Sequence, residues 1–252
     1  MNGELYQICC IVVAAKTALK NKSKIRFTPL KYENKIEFRC LAKDGKKRPY
    51  KAGNVESWFD YCLEKGITDF KFLAPYFVEN RNILGFSNTT QSSIVCFYGK
   101  TVTYFSANWK FDRSINMWNI DYRQQNWDNA PSYKPRFKNN SEEFKEALIR
   151  IKKLATDIDS DYFAGTFQKA LDVLSGKNSI DNSGMPSPEL SEENKRLFES
   201  AGIADVFGGM GSWNDEPPYA AHEKGLAKEY ERLSNDLLKQ IRLAIMYAIN
   251  EW

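Results

Sequence analysis

The sequence predicts an α+β protein, with an antiparallel sheet packed by two helices and then a mostly helical C-terminal half. Three observations predict it. Apolar residues alternate with period two along much of residues 24–123, then recur in steps of three and four after about residue 140. Aromatic residues, 14% of the chain, crowd into the first 140 positions, where strands are expected. Formal charge divides at the same place: residues 1–140 hold 23 Lys and Arg against 12 Asp and Glu, and residues 141–252 hold 13 against 20. We therefore expect a basic α+β domain over 1–135 and an acidic helical domain over 136–252. An Asn- and Pro-rich stretch at 126–140 joins them.

Taken in order, residues 3–20 form a helix with Leu5, Ile8, Cys9, Val12, Ala15 and Leu19 on one stripe and Asn2 as cap. Segments 24–30 and 35–42 then read as an antiparallel pair turning at Tyr32-Glu33-Asn34, with Ile25 and Phe27 alternating on one and Ile36 and Phe38 on the other. Asn54 opens a short helix with Trp58, Phe59, Cys62 and Leu63 inward, and Gly66 closes it. Segment 69–77 reads as a strand, and its Pro75 places it at an edge or a strand end. A three-stranded meander follows over 93–98, 101–109 and 117–123, with Gly99-Lys100 as the first turn. Both rows of 101–109 carry aromatics, so both faces of that strand are expected to be covered or bound.

In the second half, Phe144, Leu148, Ile151, Leu154 and Ile158 form a stripe behind the cap Ser141. Phe163, Phe167, Ala170, Leu171 and Leu174 form the next, stopped by Gly176. A polar loop over 178–188, expected to be the most mobile segment, leads to a third helix opened by Ser191 and running to about Ser200. The last helix carries Leu226, Tyr230, Leu233, Leu237, Ile241 and Ala248 at helical spacing over six turns. No internal repeat is present.

Hydrophobic residues at 42% against charged residues at 27% suffice for a packed core without covalent staples. The five cysteines are odd in number and lack C-x-x-C spacing, and a single histidine cannot complete the usual zinc ligand sets. We expect small buried thiols in a reducing compartment, and no cofactor or metal. The apolar run 8–15 is far shorter than the roughly 20 residues of a spanning helix. Its acidic Glu4 precedes it and its lysines follow, the reverse of a signal peptide. A soluble, cytoplasmic protein without membrane partners is the expectation.

The density of positive charge peaks over 16–51, where 13 basic residues face Glu33, Glu37 and Asp44. With Tyr32, Phe38 and Tyr50 interleaved, this segment suits a phosphate-bearing partner, and Lys43, Lys46, Lys47, Arg48 and Lys51 are the candidate nucleic-acid contacts. It equally suits a solvated hairpin whose lysines protect a sheet edge, or a surface docking onto acidic groups.

Asp157-x-Asp159-x-Asp161 starts like a calcium loop but has Tyr162 where the turn needs glycine and Gln168 where the bidentate carboxylate belongs. A helix connection with acids at the next N-terminus accounts for it. The segment 208–215, Gly-Gly-Met-Gly-Ser-Trp-Asn-Asp, is the least expected stretch of the chain. It lacks the Gly-Lys-Ser/Thr of a phosphate loop and the period of a dinucleotide fingerprint. Its glycines allow positive φ or close approach, followed at once by a large aromatic and turn-forming polar residues. Either Met210 and Trp213 plug a gap between helices, or Met210, Ser212, Trp213, Asn214 and Asp215, with the lone His222, form an exposed recognition or catalytic patch. No residue is assigned as catalytic, since sequence proximity of Ser212, Asp215 and His222 does not build a triad.

On Gly208, Gly209, Met210, Gly211, Ser212, Asn214 and Asp215, followed by the amphipathic helix through Ala248, the chain resembles a group of small bacterial proteins with a Gly-Gly-Met-Gly-Ser-x-Asn-Asp loop. The resemblance covers about residues 190–250 and implies a setting in toxin–immunity or defence neighbourhoods, with no catalytic residue to carry over. The expected function is a non-enzymatic bacterial binding protein, immunity-like or regulatory, recognising a protein partner through the aromatic sheet or the glycine-rich loop. The alternatives are a nucleic-acid-associated protein using segment 16–51 and an enzyme of unknown class with its site near that loop.

Overall fold

The computed structural model describes residues 1–41, 49–177 and 188–252. The candidate nucleic-acid contacts Lys43, Lys46, Lys47 and Arg48 lie outside the described residues, as does nearly all of the loop expected to be mobile. The fold is α+β, and the chain divides into two compact units. One holds Glu4–Leu73 and Gln91–Pro135. The other holds Met1–Gly3, Ala74–Thr90 and Arg136–Trp252.

The sheet unit contains six strands in the order β2-β1-β6-β5-β4-β3: β1 (Glu33–Cys40), β2 (Tyr50–Ala52), β3 (Asp69–Leu73), β4 (Ser93–Tyr98), β5 (Thr101–Asp112) and β6 (Met117–Asn126). The meander β4-β5-β6 is antiparallel, whereas β1 runs parallel to β6, which makes the sheet mixed. The expected hairpin 24–30/35–42 is absent. β1 pairs instead with β2 on one side and β6 on the other, so neither of its edges is open to a preceding strand. In 24–30 only Ile25 is buried, and Pro29 has no N–H to give a ladder.

Alternation decides which face is covered. Phe38 of β1 stacks between Trp58 (4.6 Å) and Tyr122 (4.7 Å), and Phe70 and Phe105 meet Trp58 from β3 and β5. Trp58 comes from helix α2 (Val55–Glu64), capped by a reciprocal Asn54–Ser57 box and ended at Gly66 with φ +75°. Leu63, expected inward, is exposed, because it lies one residue past the stripe Val55, Phe59 and Cys62. Helix α1 (Gly3–Asn21) meets the same face through Gln7, whose Oε1 accepts from the Tyr122 hydroxyl at 2.7 Å. At β1 and β6 the opposite face is polar: Glu37 pairs with Lys35 and Lys51, and Asp121 with Arg39 and Arg123. The expectation that both rows of β5 are covered is corrected accordingly. Phe105 and Trp109 are buried, while Tyr104 and Ser106 are only half-buried and Asn108 is exposed.

The helical unit contains α3 (Ser141–Asp157), α4 (Asp161–Leu174), α5 (Glu192–Ala204), the short α6 (Pro217–Glu223) and α7 (Ala227–Asn250). α3 packs on α4 and α7, and α5 on the same two helices, so the four share one core. The stripe Phe144, Leu148, Ile151 and Leu154 of α3 is buried, as are Leu237, Ile241, Ala244 and Ala248 of α7, and the two helices pack on each other. Ser141 is the first helical residue rather than the cap; Asn140 precedes it, and its amide donates to Gln240 of α7. The alternating acids between α3 and α4 form a connection in which Asp159 has φ +56°. No helix among the described residues is long and apolar enough to cross a membrane.

Two outcomes follow from this packing. Leu237 has no exposed surface, and Leu237→Ala is expected to cost about 2–5 kcal/mol, read from urea unfolding; a cost under about 0.5 kcal/mol would mean the α7 stripe is not core. In the sheet unit, burial raises the Glu33 carboxyl to about 6, partly offset by the Leu30 N–H that its Oε2 accepts. The folded protein thus holds this proton more tightly than the unfolded chain, so the group's effect is least unfavourable below its ordinary value of 4.5 and stability falls as pH rises towards 6. Glu33→Gln is expected to stabilise the protein by up to about 2 kcal/mol at pH 7.5 and to make no difference at pH 4. Equal melting temperatures of the two proteins at both pH values would refute the shift.

Candidate functional site

The loop 208–215 and the start of α6 sit in the helical unit, and Trp213 organises them. Its ring is fully enclosed. Phe163 and Phe167 of α4 meet it edge-on at 5.2 and 5.3 Å, and Tyr230 of α7 lies at 5.4 Å. The indole N–H donates to Ser234 Oγ at 2.8 Å, which satisfies the one polar atom of the ring. The main chain is held as firmly: Trp213 N–H donates to the Val206 carbonyl at 3.1 Å, and the Tyr230 hydroxyl donates to the Trp213 carbonyl at 2.5 Å. Burial pushes the Tyr230 phenol up to about 12, with Arg81 opposing, so it remains a donor at neutral pH.

The flanking residues shape the turn. Gly211 has φ +75°, where a side chain would be strained, and its N–H donates to Asp215 Oδ2 at 2.7 Å. Ser212 Oγ accepts from the Asn214 N–H at 3.2 Å. Asn214 Nδ2 donates to the Arg81 carbonyl at 3.1 Å, tying the loop to the segment Ala74–Thr90. In that segment Gly85 ends a single 3-10 turn (Arg81–Gly85) directly against the loop; a Cβ there would stand within 2.7 Å of the backbone of both Gly208 and Gly209, nearest to the Gly209 nitrogen. The Arg81 guanidinium is itself buried, with Nη2 2.9 Å from Glu231 Oε2, Nη1 on Asn235 Oδ1 and the Tyr230 ring 5.8 Å away. Sequence inspection gives no sign of Arg81 or Gly85, since both lie more than 120 residues before the loop.

The candidate residues therefore separate. Trp213 is internal and supports the loop without facing solvent, Asn214 and Ser212 are half-buried and spent on backbone hydrogen bonds, and Asp215 is exposed. Met210 is 97% exposed at the tip, and Phe86, next to Gly85, is 67% exposed. His222 stands in the last turn of α6, exposed, with Glu223 Oε1 3.6 Å from its Nδ1; it makes no hydrogen bond to Ser212 or Asp215. No nucleophile–base pair is assembled here.

Two other candidate chemistries are located by the sheet unit. Lys51 is ion-paired with Glu37, which also holds Lys35, and Arg39 is paired with Asp121, so these three basic side chains of the segment have acidic partners on the sheet. All five cysteines are free. Burial pushes the Cys40 thiol up to about 12 and raises Cys96 strongly, which keeps both protonated and poor as nucleophiles or ligands. Among the described residues no group of three or more His, Cys, Asp or Glu is placed to hold a metal. No family model, curated protein or solved structure matches this chain.

The loop's construction sets a clear order of sensitivities. Trp213→Ala is expected to cost about 3–5 kcal/mol, and Gly85→Ala about 1–3 kcal/mol through overpacking against the loop backbone. Gly209→Ala, with open space at its Cβ position, should cost less than about 0.5 kcal/mol. Urea unfolding of the three variants measures the order; a Gly85→Ala protein as stable as Gly209→Ala would contradict the close approach.

Proposed function

We propose that the chain is a non-enzymatic binding protein, immunity-like or regulatory, that recognises a protein partner with the tip of the 208–215 loop. One observation carries this proposal: Met210 is almost wholly exposed on a loop whose next aromatic residue, Trp213, is wholly buried. A mobile connector has no use for a buried indole with its hydrogen bond made. A recognition element does, because a loop already held in one conformation loses less entropy on binding. Met210 and Phe86 each follow directly on a residue of the Gly85–Gly209 contact, so two unsheltered apolar side chains are presented from one rigid junction. Methionine and aromatic side chains are favoured at the centre of protein interfaces, where a polarisable or flat surface adapts to its partner. Asp215, exposed beside them, supplies a polar rim.

The immunity-like character rests on the loop's resemblance to bacterial proteins of toxin–immunity neighbourhoods. The non-enzymatic character is supported by the separation of His222 from Ser212 and Asp215 and by the protonated, buried thiols.

The test is a photo-crosslinking residue at position 210 in host-cell extract, compared with the same protein carrying Phe86→Glu, and direct affinity measurement on whatever is crosslinked. Phe86→Glu and Met210→Glu are expected to leave the melting temperature unchanged within about 1 °C and to weaken that partner at least tenfold. If no protein is captured, or if the captured one binds both variants as well as the parent, the loop tip is not the recognition surface.

A further inference from the structure

A second feature of the helical unit is independent of the loop tip. Along α7, Glu231, Asn235, Leu238 and Arg242 fall on one face, in steps of four, three and four. Arg81 lies against the first two of these and is 8% exposed, with its Nε buried and unpartnered. Arg242 is seven residues beyond Asn235, about 10 Å further along the helix axis. It is 1% exposed, among the largest fully buried side chains of the protein, and its Nε and Nη1 have no hydrogen-bond partner. Its own helix provides no compensation. The positions three and four residues away are Leu238, Lys239, Ile245 and Met246, none of which is acidic.

Magnitudes make this exceptional. An uncompensated buried charge costs a large part of the net stability that holds a domain together. A buried lysine or carboxyl escapes that cost by changing protonation, but a guanidinium keeps its charge inside a protein. Along this face two buried guanidinium groups stand against one carboxylate, Glu231, whose side chain is 61% exposed. The balance is short of one negative charge.

We propose that Arg242 is an anion-binding residue: its guanidinium holds an oxyanion, a phosphate or carboxylate group, within the helical unit, and Arg81 adds to the attraction from the same face of α7. Guanidinium N–H groups form charge-assisted hydrogen bonds to such oxygens, stronger than those between neutral groups, and more so where water is excluded. The bound anion supplies both the missing charge and acceptors for Nε and Nη1.

The experiment uses the full chain, unfolded and refolded in chloride, phosphate or acetate at one pH and one ionic strength, so that the anion is present as the guanidinium becomes buried. For the unsubstituted protein we expect phosphate or acetate to raise the melting temperature by about 5 °C in a saturating manner relative to chloride, whichever anion acts identifying the group bound. Arg242→Met should show no such response and should melt no lower than the parent in chloride, because an apolar residue of similar volume replaces an unpaired charge. Arg242→Lys should retain a reduced response. The proposal fails if neither anion shifts the unsubstituted protein. It also fails if Arg242→Met responds equally, or if Arg242→Met melts several degrees lower in chloride, which would mean that the protein satisfies the guanidinium by itself.

Discussion

The helical unit is arranged around the indole of Trp213. Four rings cannot meet in one place unless α4 and α7 are brought to a fixed separation, and here Phe163 and Phe167 come from one helix and Tyr230 from the other. The indole N–H then has to find an acceptor or forfeit a hydrogen bond, and Ser234, one turn past Tyr230 on α7, provides it. Tyr230 closes the arrangement by donating to the carbonyl of the same tryptophan. The outcome is a glycine-rich loop whose backbone conformation is dictated by its most buried residue. The glycines serve this arrangement at two places: Gly211 because its φ is positive, and Gly85, remote in sequence, because the 3-10 turn touches the loop backbone.

The sheet unit carries its aromatic cluster on one face. Its inner aromatics, Phe38, Trp58, Tyr122, Phe70 and Phe105, make a continuous stack under α1 and α2, while the outer face carries ion pairs of half-exposed groups. Such exposed pairs contribute little to stability, about 0–1 kcal/mol each, and their effect is chiefly to neutralise one another. Glu37 between two lysines and Asp121 between two arginines offset half of the positive charge that these four side chains bring to the face. At the β3–β4 end the chain after β6 returns over the outer face, with Lys134 Nζ 5.4 Å from the Phe97 ring and 3.4 Å from Asp69, so β4 is buried on both sides.

What could be read in the sequence was periodicity sustained over several turns or a full strand. The α7 stripe, the meander β4-β5-β6 and the Asn54–Gly66 helix all belong to this kind, because each is written in local spacing and in caps adjacent to it. Pairing between distant strands is not written locally. Residues 24–30 alternate as well as β1 does, yet β1 takes β6 as its parallel neighbour across eighty residues, and nothing in 24–30 declares that no edge is left for it. The segment Ala74–Thr90 is the same problem at larger scale: lying between strands β3 and β4, it belongs by its contacts to the helical unit, where Arg81 reaches α7. For the loop, composition marked Trp213 and the glycines as unusual, but which residues turn outward depends on partners far away in the chain.

Glu33 and Arg242, both buried with unpartnered polar atoms, illustrate different solutions to one electrostatic problem. Glu33 is buried with its Oε1 unpartnered, and burial raises its proton affinity until the neutral acid competes near pH 6. Its cost is therefore limited to that of holding a proton, and a hydrogen bond from Leu30 reduces it further. Arg242 has no equivalent route, since a guanidinium retains its proton and its helical neighbours are aliphatic or basic. A sequence scan treats Arg242 as one more polar residue between apolar ones on an amphipathic helix, where a long basic side chain normally reaches water. Here the side chain is 1% exposed and its Nε and Nη1 lack partners, which is the observation behind the proposed anion. The same helix thus does two separate things: its N-terminal half locks the glycine-rich loop through Tyr230 and Ser234, and its middle carries the buried guanidinium for which we propose an anion.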